Sequence, residues 1–350
     1  MGSDFAIKIQ TMKKVIILCA GVFFAAGSYA QQKPHYTQYI LNQYIINPAL
    51  SGIENYWDIK VSHRHQWTGL SGSPVTTYFT IQGPIGKKDY RTTATSFAVP
   101  GENPRGHRYW EDYTAAEPHH GVGLQVINDV TGPLSNLSVY GTYAYHIGLT
   151  PRTSLSAGFG AGISRFSLKS SGLDFENTTI DPVVYSSGIV NTTKFDMTAG
   201  LYLYSADYFV GVSAQQIVPS RLNFSNHAVT AETGKTVPHL FFTGGYRFLL
   251  TDDFNLIPSV MVKYINPLPV QVDVNTKLQY RDLIWVGATY RHKDSFAGMM
   301  GVNISNKFNI GYSYDNSTTA LATYGKGTHE IILGFIIGNK YDDSCPKNVW

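Results

Sequence analysis

His63 and His65 are the first residues in this sequence whose types and spacing suggest chemistry. Two residues apart on a β-strand, two imidazoles share one face, as metal ligands can. Asp58 has the opposite parity, however, and no third ligand is evident. Trp57, Ile59, Val61 and Trp67 fall on the histidine face, which then reads as the aromatic rim of a membrane-facing strand. His119 and His120 are adjacent, so on a strand they point to opposite faces and do not ligate jointly. Ser and His are plentiful, but no spacing groups a nucleophile, a base and an orienting partner. The run GFGAG (158–162) resembles a phosphate loop only superficially. No Lys or helix follows it and it lies inside an alternating pattern, so close strand packing explains it better. The sequence therefore predicts no catalytic residue, no metal ligand set, no cofactor and no enzyme.

The elements that would carry these residues are strands. In VQVDVNTKLQY (270–280), Val270, Val272, Val274, Leu278 and Tyr280 alternate with Gln271, Asp273, Asn275, Lys277 and Gln279, and only Thr276 interrupts the apolar set. A period of two gives one oily face and one polar face. The pattern recurs at 195–204 and 284–291, and less cleanly at 330–337. Fourteen strands are predicted, at about 55–67, 74–85, 119–129, 135–149, 152–168, 194–206, 207–217, 237–250, 254–265, 270–280, 282–292, 295–304, 306–315 and 328–339. No amphipathic helix of useful length lies between them.

Composition agrees. Of 350 residues, 15% are charged and 13% aromatic, with 24 Tyr and 33 Gly. Mean hydropathy is −0.12, and beyond the first thirty residues no stretch offers the ~20 apolar residues of a spanning helix. Residues 1–30 read as a signal peptide whose true start is possible at Met12: Lys13-Lys14, an apolar core from Val15 to Gly27, and Ser28-Tyr29-Ala30 for cleavage. Its removal takes away Lys8, Lys13, Lys14 and Asp4, moving the formal net charge from +3 to +1. That balance gives no electrostatic case for nucleic acid. Cys345 is the one cysteine left, so no internal disulfide forms; it either stays free or pairs with another chain.

Connection lengths decide the architecture. The turns near Thr150-Pro151, Ser205–Asp207, Thr251–Asp253, Arg281-Asp282 and Ser305–Lys307 are tight, while 169–193, 218–236 and 316–327 are long. Short turns on one side and long loops on the other mark an antiparallel outer-membrane β-barrel, with both termini in the periplasm. The apolar face would meet lipid and the polar face a wet lumen. Segment 86–118 breaks the rule: either it hides two strands, giving sixteen, or it is a periplasmic excursion. Pro100, Pro104 and Pro118 favour the excursion. Residues 31–54, in which Tyr36, Tyr39 and Tyr44 are candidate partner-binding residues, either enter the lumen as a plug or lie beneath the barrel mouth. The tail 340–350 ends in CPKNVW, where Pro346 stiffens the chain and Trp350 offers an apolar anchor.

Several stretches carry a resemblance: YTQYILNQYIINPALSG (36–52), SHRHQWTGLSGSP (62–74), GVGLQVINDVTGP (121–133), LYLYSADYFVGVSAQQIVPS (201–220), LPVQVDVNTKLQY (268–280) and GTHEIILG (327–334). Together they resemble the type IX secretion system membrane proteins of the PorP/SprF family over nearly the whole mature chain. The resemblance implies an outer-membrane barrel of secretion and gliding machinery. It implies one of two partners, a periplasmic ring lipoprotein or the C-terminal domain of a secreted adhesin. The CPKNVW tail resembles a Cys-Pro-x-x-x-Trp ending of PorP-like members, which points Cys345, Pro346 and Trp350 toward a periplasmic partner. A passive porin or hydrophobic-solute transporter is the remaining reading.

Overall fold

The computed structural model describes residues 37–87, 113–115, 117–169, 189–219, 236–305, 307–319, 323 and 325–339. The signal-peptide reading, Tyr36, most of 86–118, and the tail with Cys345, Pro346 and Trp350 lie outside them. The strands are β1 (Trp57–His65), β2 (Val75–Ile85), β3 (His119–Thr131), β4 (Leu134–Thr150), β5 (Thr153–Lys169), β6 (Ile189–Tyr204), β7 (Tyr208–Gln215), β8 (His239–Tyr246), β9 (Phe248–Thr251), β10 (Phe254–Ile265), β11 (Gln271–Tyr280), β12 (Ile284–Arg291), β13 (Ser295–Ser305), β14 (Phe308–Ser317) and β15 (Thr328–Ile337). Each pairs antiparallel with its sequence neighbour, apart from the β8–β9–β10 join, and β15 pairs with β1 to close the ring. No backbone edge is left open to hydrocarbon, the condition a sheet must meet to cross a bilayer.

The predicted strand over 237–250 is interrupted at Arg247. Its β8 part pairs with Ser259–Ile265 and its β9 part with Phe254–Leu256, so both continue one stave of a fourteen-stave barrel. Arg247 is buried; its amide donates to Asp207 O at 2.6 Å and its Nη1 to Ala206 O at 2.9 Å. The register does not shift across the break, since Gly245 stands opposite Ser259 and Phe248 opposite Leu256, and the Arg247–Asp207 bond extends the β7–β8 ladder by one pair.

Alternation sets which face is which. Asp58, Lys60, Ser62 and Arg64 of β1 are buried, while Trp57 and His63 are exposed. On β11, Asp273, Asn275, Lys277 and Gln279 are buried and Val274 is 50% exposed. The usual rule is inverted: the polar residues are inside and the exposed surface is Leu, Ile, Val, Phe, Met and Tyr. That inversion is stable where hydrocarbon, not water, surrounds the wall.

One end of the barrel carries the tight turns, the start of β1, the end of β15 and the connection between β2 and β3. Arg281 Nε donates to Asp253 Oδ1 at 2.9 Å there, joining two turns; both groups are largely exposed, so the pair contributes little. The opposite end carries the long connections between β5 and β6, β7 and β8, and β14 and β15. Strands β4, β5 and β6 have 17, 17 and 16 residues, more than the ~9–11 that a tilted membrane strand needs. β6 pairs with β7 only through Ala199–Tyr204, so the surplus length rises at the long-loop end.

Candidate functional site: the filled lumen

Thr37–Leu41, Gln43–Ile45 and Pro48–Leu50 form three short 3₁₀ turns inside the ring. The last is set locally: the Asn47 side chain accepts from Ala49 N at 2.9 Å and Pro48 occupies the first helical position. Turns this short leave most carbonyls without partners of their own, and the wall supplies donors. Gln125 Nε2 donates to Tyr44 O at 2.7 Å, Ser213 Oγ to Ile46 O at 2.6 Å and Ser156 Oγ to Ala49 O at 2.7 Å. Gln38 Nε2 donates in return to Glu330 O at 2.8 Å, and Gly52 N to Gln82 Oε1 at 2.6 Å. Such bonds meet the polar groups that burial would otherwise leave unsatisfied.

The wall is also shaped to receive this segment. A Cβ on Gly158 would stand 2.5 Å from Ala49 N, and one on Gly200 would stand 2.1 Å from Asn47 Oδ1. Neither position tolerates a side chain while the segment is in place. Gly158 belongs to the GFGAG run, whose packing partner is thus the lumen segment as well as adjacent strands.

Tyr39 and Tyr44 are each 3% exposed and turned to the barrel's own wall. Asn275 Nδ2 bonds Tyr39 OH, and Tyr44 OH meets Thr142 Oγ1 at 2.6 Å. Burial pushes both phenols well above their ordinary pKa, so both are neutral hydrogen-bonding groups. The expected wet face of β11 meets protein: Asp273, Asn275, Lys277 and Gln279 are buried and Gln271 is half-buried. Thr289 Oγ1 donates to Asn275 Oδ1 at 2.6 Å and Gln279 Nε2 to Asp282 Oδ1 at 2.9 Å.

Near the long-loop end the lumen holds an ion cluster that the sequence reading did not find. Arg64 Nη1 lies 2.9 Å from Glu330 Oε2 and its Nη2 lies 2.8 Å from Asp315 Oδ2. Arg291 lies 3.3 Å from Asp273, 3.1 Å from Asp294 and 3.7 Å from Asp315, so Asp315 links the two guanidinium groups. Above them a cavity of about 270 Å³ is lined by Arg64, Trp67, Arg291, Asp294, Asp315 and Thr328, among others. The signal was available in the parity: Arg64, Asp315 and Glu330 each occupy the polar register of their strand. Nearer the tight turns, Lys60 pairs with Asp58.

The histidines divide as their parity requires. His63 and His65 face outward, where His63 Nδ1 meets Thr77 Oγ1 at 2.9 Å. Trp67 does not share their face: β1 ends at His65, and Trp67 turns at φ 45° to line the cavity. His119 points inward and stacks on His146 at 4.5 Å, and His146 Nε2 meets Ser51 O at 2.8 Å. His120 points outward to Tyr143 OH at 2.6 Å. Among the described residues no group of three His, Cys, Asp or Glu is placed to hold a metal ion.

A family profile described as type IX secretion system membrane protein PorP/SprF matches residues 28–335. The chain belongs to that family. It is accordingly an outer-membrane β-barrel of the type IX secretion system. A search of curated proteins found no match. Solved structures similar to this PorP/SprF chain are also barrels. The CymD monoaromatic hydrocarbon channel is 10% identical, with 85% of this chain and 91% of that one covered and a TM-score of 0.45. Omp33 of Acinetobacter baumannii is 9% identical, with 82% and 100% covered and a TM-score of 0.42. The toluene transporter TodX of Pseudomonas putida is 7% identical, with 90% and 98% covered and a TM-score of 0.43. At such values nothing about cargo passes from them to this chain.

Proposed function

We propose that this PorP/SprF barrel is a plugged adaptor, coupling the outer membrane to a periplasmic ring component of the secretion machinery such as its ring lipoprotein. The observation that carries this reading is the lumen segment, buried and bonded to the wall on several sides. A cross-section filled in this way suits a stiff anchor better than a conduit. The turn asymmetry supports an orientation with the tight turns in the periplasm and the long connections outside. On this reading residues 1–30 are removed on export, and segment 86–118 and the tail 340–350 work on the periplasmic side. Ile337 ends β15 at the tight-turn end, so the tail with Cys345, Pro346 and Trp350 starts beside that partner. Its Trp is the residue type that anchors interfaces most often.

The test is co-purification from detergent-solubilised outer membranes. The full chain is expected to recover a ring component, and deletion of residues 340–350 to lose it together with secretion. If the deletion leaves both intact, the tail has no part in coupling. A second reading, a surface anchor for the C-terminal domain of a secreted adhesin, is favoured by the cavity at the long-loop end. Under it, recovery of the adhesin depends on residues facing that cavity and survives loss of the tail.

A further inference from the structure

The outward positions of β14, β15, β1 and β2 can be followed row by row across the barrel wall. The row nearest the long loops is Tyr314, His329, His65 and Val75; the next is Tyr312, Ile331, His63 and Thr77. Every residue in the two rows below is Ile, Leu, Val or Phe. A polar aromatic band thus sits directly on an all-hydrocarbon band, the sequence of surfaces a membrane strand meets at the headgroup level. Aromatic residues are usual there. Three imidazoles on two neighbouring strands are not.

We propose that His63, His65 and His329 form a binding patch for the phosphate of a phosphorylated lipid headgroup, whose acyl chains lie on the apolar rows beneath. The bonding of each ring prepares it for this. His63 Nδ1 is 2.9 Å from Thr77 Oγ1, His65 Nε2 is 3.0 Å from Ser73 Oγ and His329 Nδ1 is 2.7 Å from Tyr312 OH. A hydroxyl donating to one ring nitrogen leaves the proton of a neutral imidazole on the other. Taking each hydroxyl as the donor, the ring proton lies on the other nitrogen, where no described residue is hydrogen-bonded, and this N–H serves an anionic oxygen. His65 and His329 are direct cross-strand partners, a relation that puts Cβ atoms about 5 Å apart, within the span of one phosphate group.

The charge around the patch has the right sign. No outward position on these four strands is Asp or Glu. The acids nearest in sequence, Asp315 and Glu330, point into the lumen and are held by Arg64. Lys326, exposed in the loop before β15, adds a cation three residues from His329, and Tyr314 OH donates to its carbonyl at 3.3 Å. Basic and donor-rich clusters at the interface are the recognised means of holding lipid headgroups. The leaflet rests on the orientation given under Proposed function, which makes it the outer one; the patch itself does not depend on the adaptor role.

The experiment uses the full chain in detergent, with retained lipid read by native mass spectrometry. Probes are monophosphoryl lipid A and the same lipid stripped of its phosphate. The wild type is expected to retain the phosphorylated lipid at least fivefold better. H63Q/H65Q/H329Q is expected to abolish that preference, and H120Q, on the outer face at the opposite end, to preserve it. Heat-modifiable gel migration reports barrel folding; should the triple variant not fold, H329Q alone is expected to lower the preference at least twofold. Equal retention of the two lipids by the wild type, or an unchanged preference in the folded variant, overturns the proposal. Displacement of the lipid by millimolar inorganic phosphate also overturns it, in favour of a free-anion site. The isolated barrel suffices for the assay, so failure here leaves recovery of the ring component unaffected, and the reverse holds too.

Discussion

Single residues inside the barrel are fixed by what burial costs when a partner is lost. Arg64 is 3% exposed and serves two carboxylates, Glu330 and Asp315. Arg64→Met keeps most of the volume but leaves both acids without that charge partner. Breaking a buried ion pair on one side costs about 3–5 kcal/mol. The variant is expected to unfold at clearly lower urea concentration in lipid vesicles, followed by tryptophan fluorescence. Glu330→Gln keeps an acceptor for Arg64 and for Gln38, so its loss should be smaller. The glycines give a steric counterpart. Gly158→Leu drives a side chain into Pro48-Ala49, whereas Gly141 faces outward with nothing within 4 Å of its Cβ position. Gly158→Leu is expected to dislodge the lumen segment and raise ion conductance in a planar bilayer, while Gly141→Leu leaves the trace silent.

Elements differ in how much of them a sequence can express. The staves were legible because period-two alternation is local: five polar and four apolar positions of β11 announce both faces without knowledge of any neighbour. Their ends were less so. β6 begins at Ile189 and not near 194, and the stave over 237–250 breaks at Arg247. The first follows from a contact made elsewhere, the pairing of Lys169 with Ile189, and the second leaves the register against β10 unchanged. The lumen segment was the least legible. Its apolar Tyr39, Ile45 and Leu50 fit a plug or a surface lid equally well, since what selects the inside is a set of glycines and donors far away in sequence. Ser156 and Ser213 lie 107 and 167 residues from the carbonyls they bond. Removing that element tests its role directly. Deletion of residues 37–52 is expected to leave the fourteen-stave ring closed, because none of its ladder passes through the segment, and to convert a silent barrel into a stable pore. A deletion that folds, by heat-modifiable migration, and still conducts nothing would show that other groups occlude the lumen.

For the whole molecule the physical question is polarity across the membrane, and the asymmetry of the wall gives an expectation. The surplus length of β4–β6, the cavity and the histidine rim all lie at the long-loop end, while the other end has tight turns apart from the connection between β2 and β3. Outer-membrane barrels keep short turns on the periplasmic side and longer loops outside, so most of the tight turns are expected to face the periplasm. Two substituted cysteines in a Cys345→Ser background read this out. Asp252→Cys sits in the exposed turn between β9 and β10, and Thr318→Cys just past β14 at the opposite end. With a membrane-impermeant maleimide on intact cells, Thr318→Cys is expected to label and Asp252→Cys to label only after the outer membrane is permeabilised. The reverse pattern would put the tight turns and the start of the tail at the cell surface. The adaptor reading would then fail, because no periplasmic ring could reach them, and the histidine rim would meet the phospholipids of the inner leaflet.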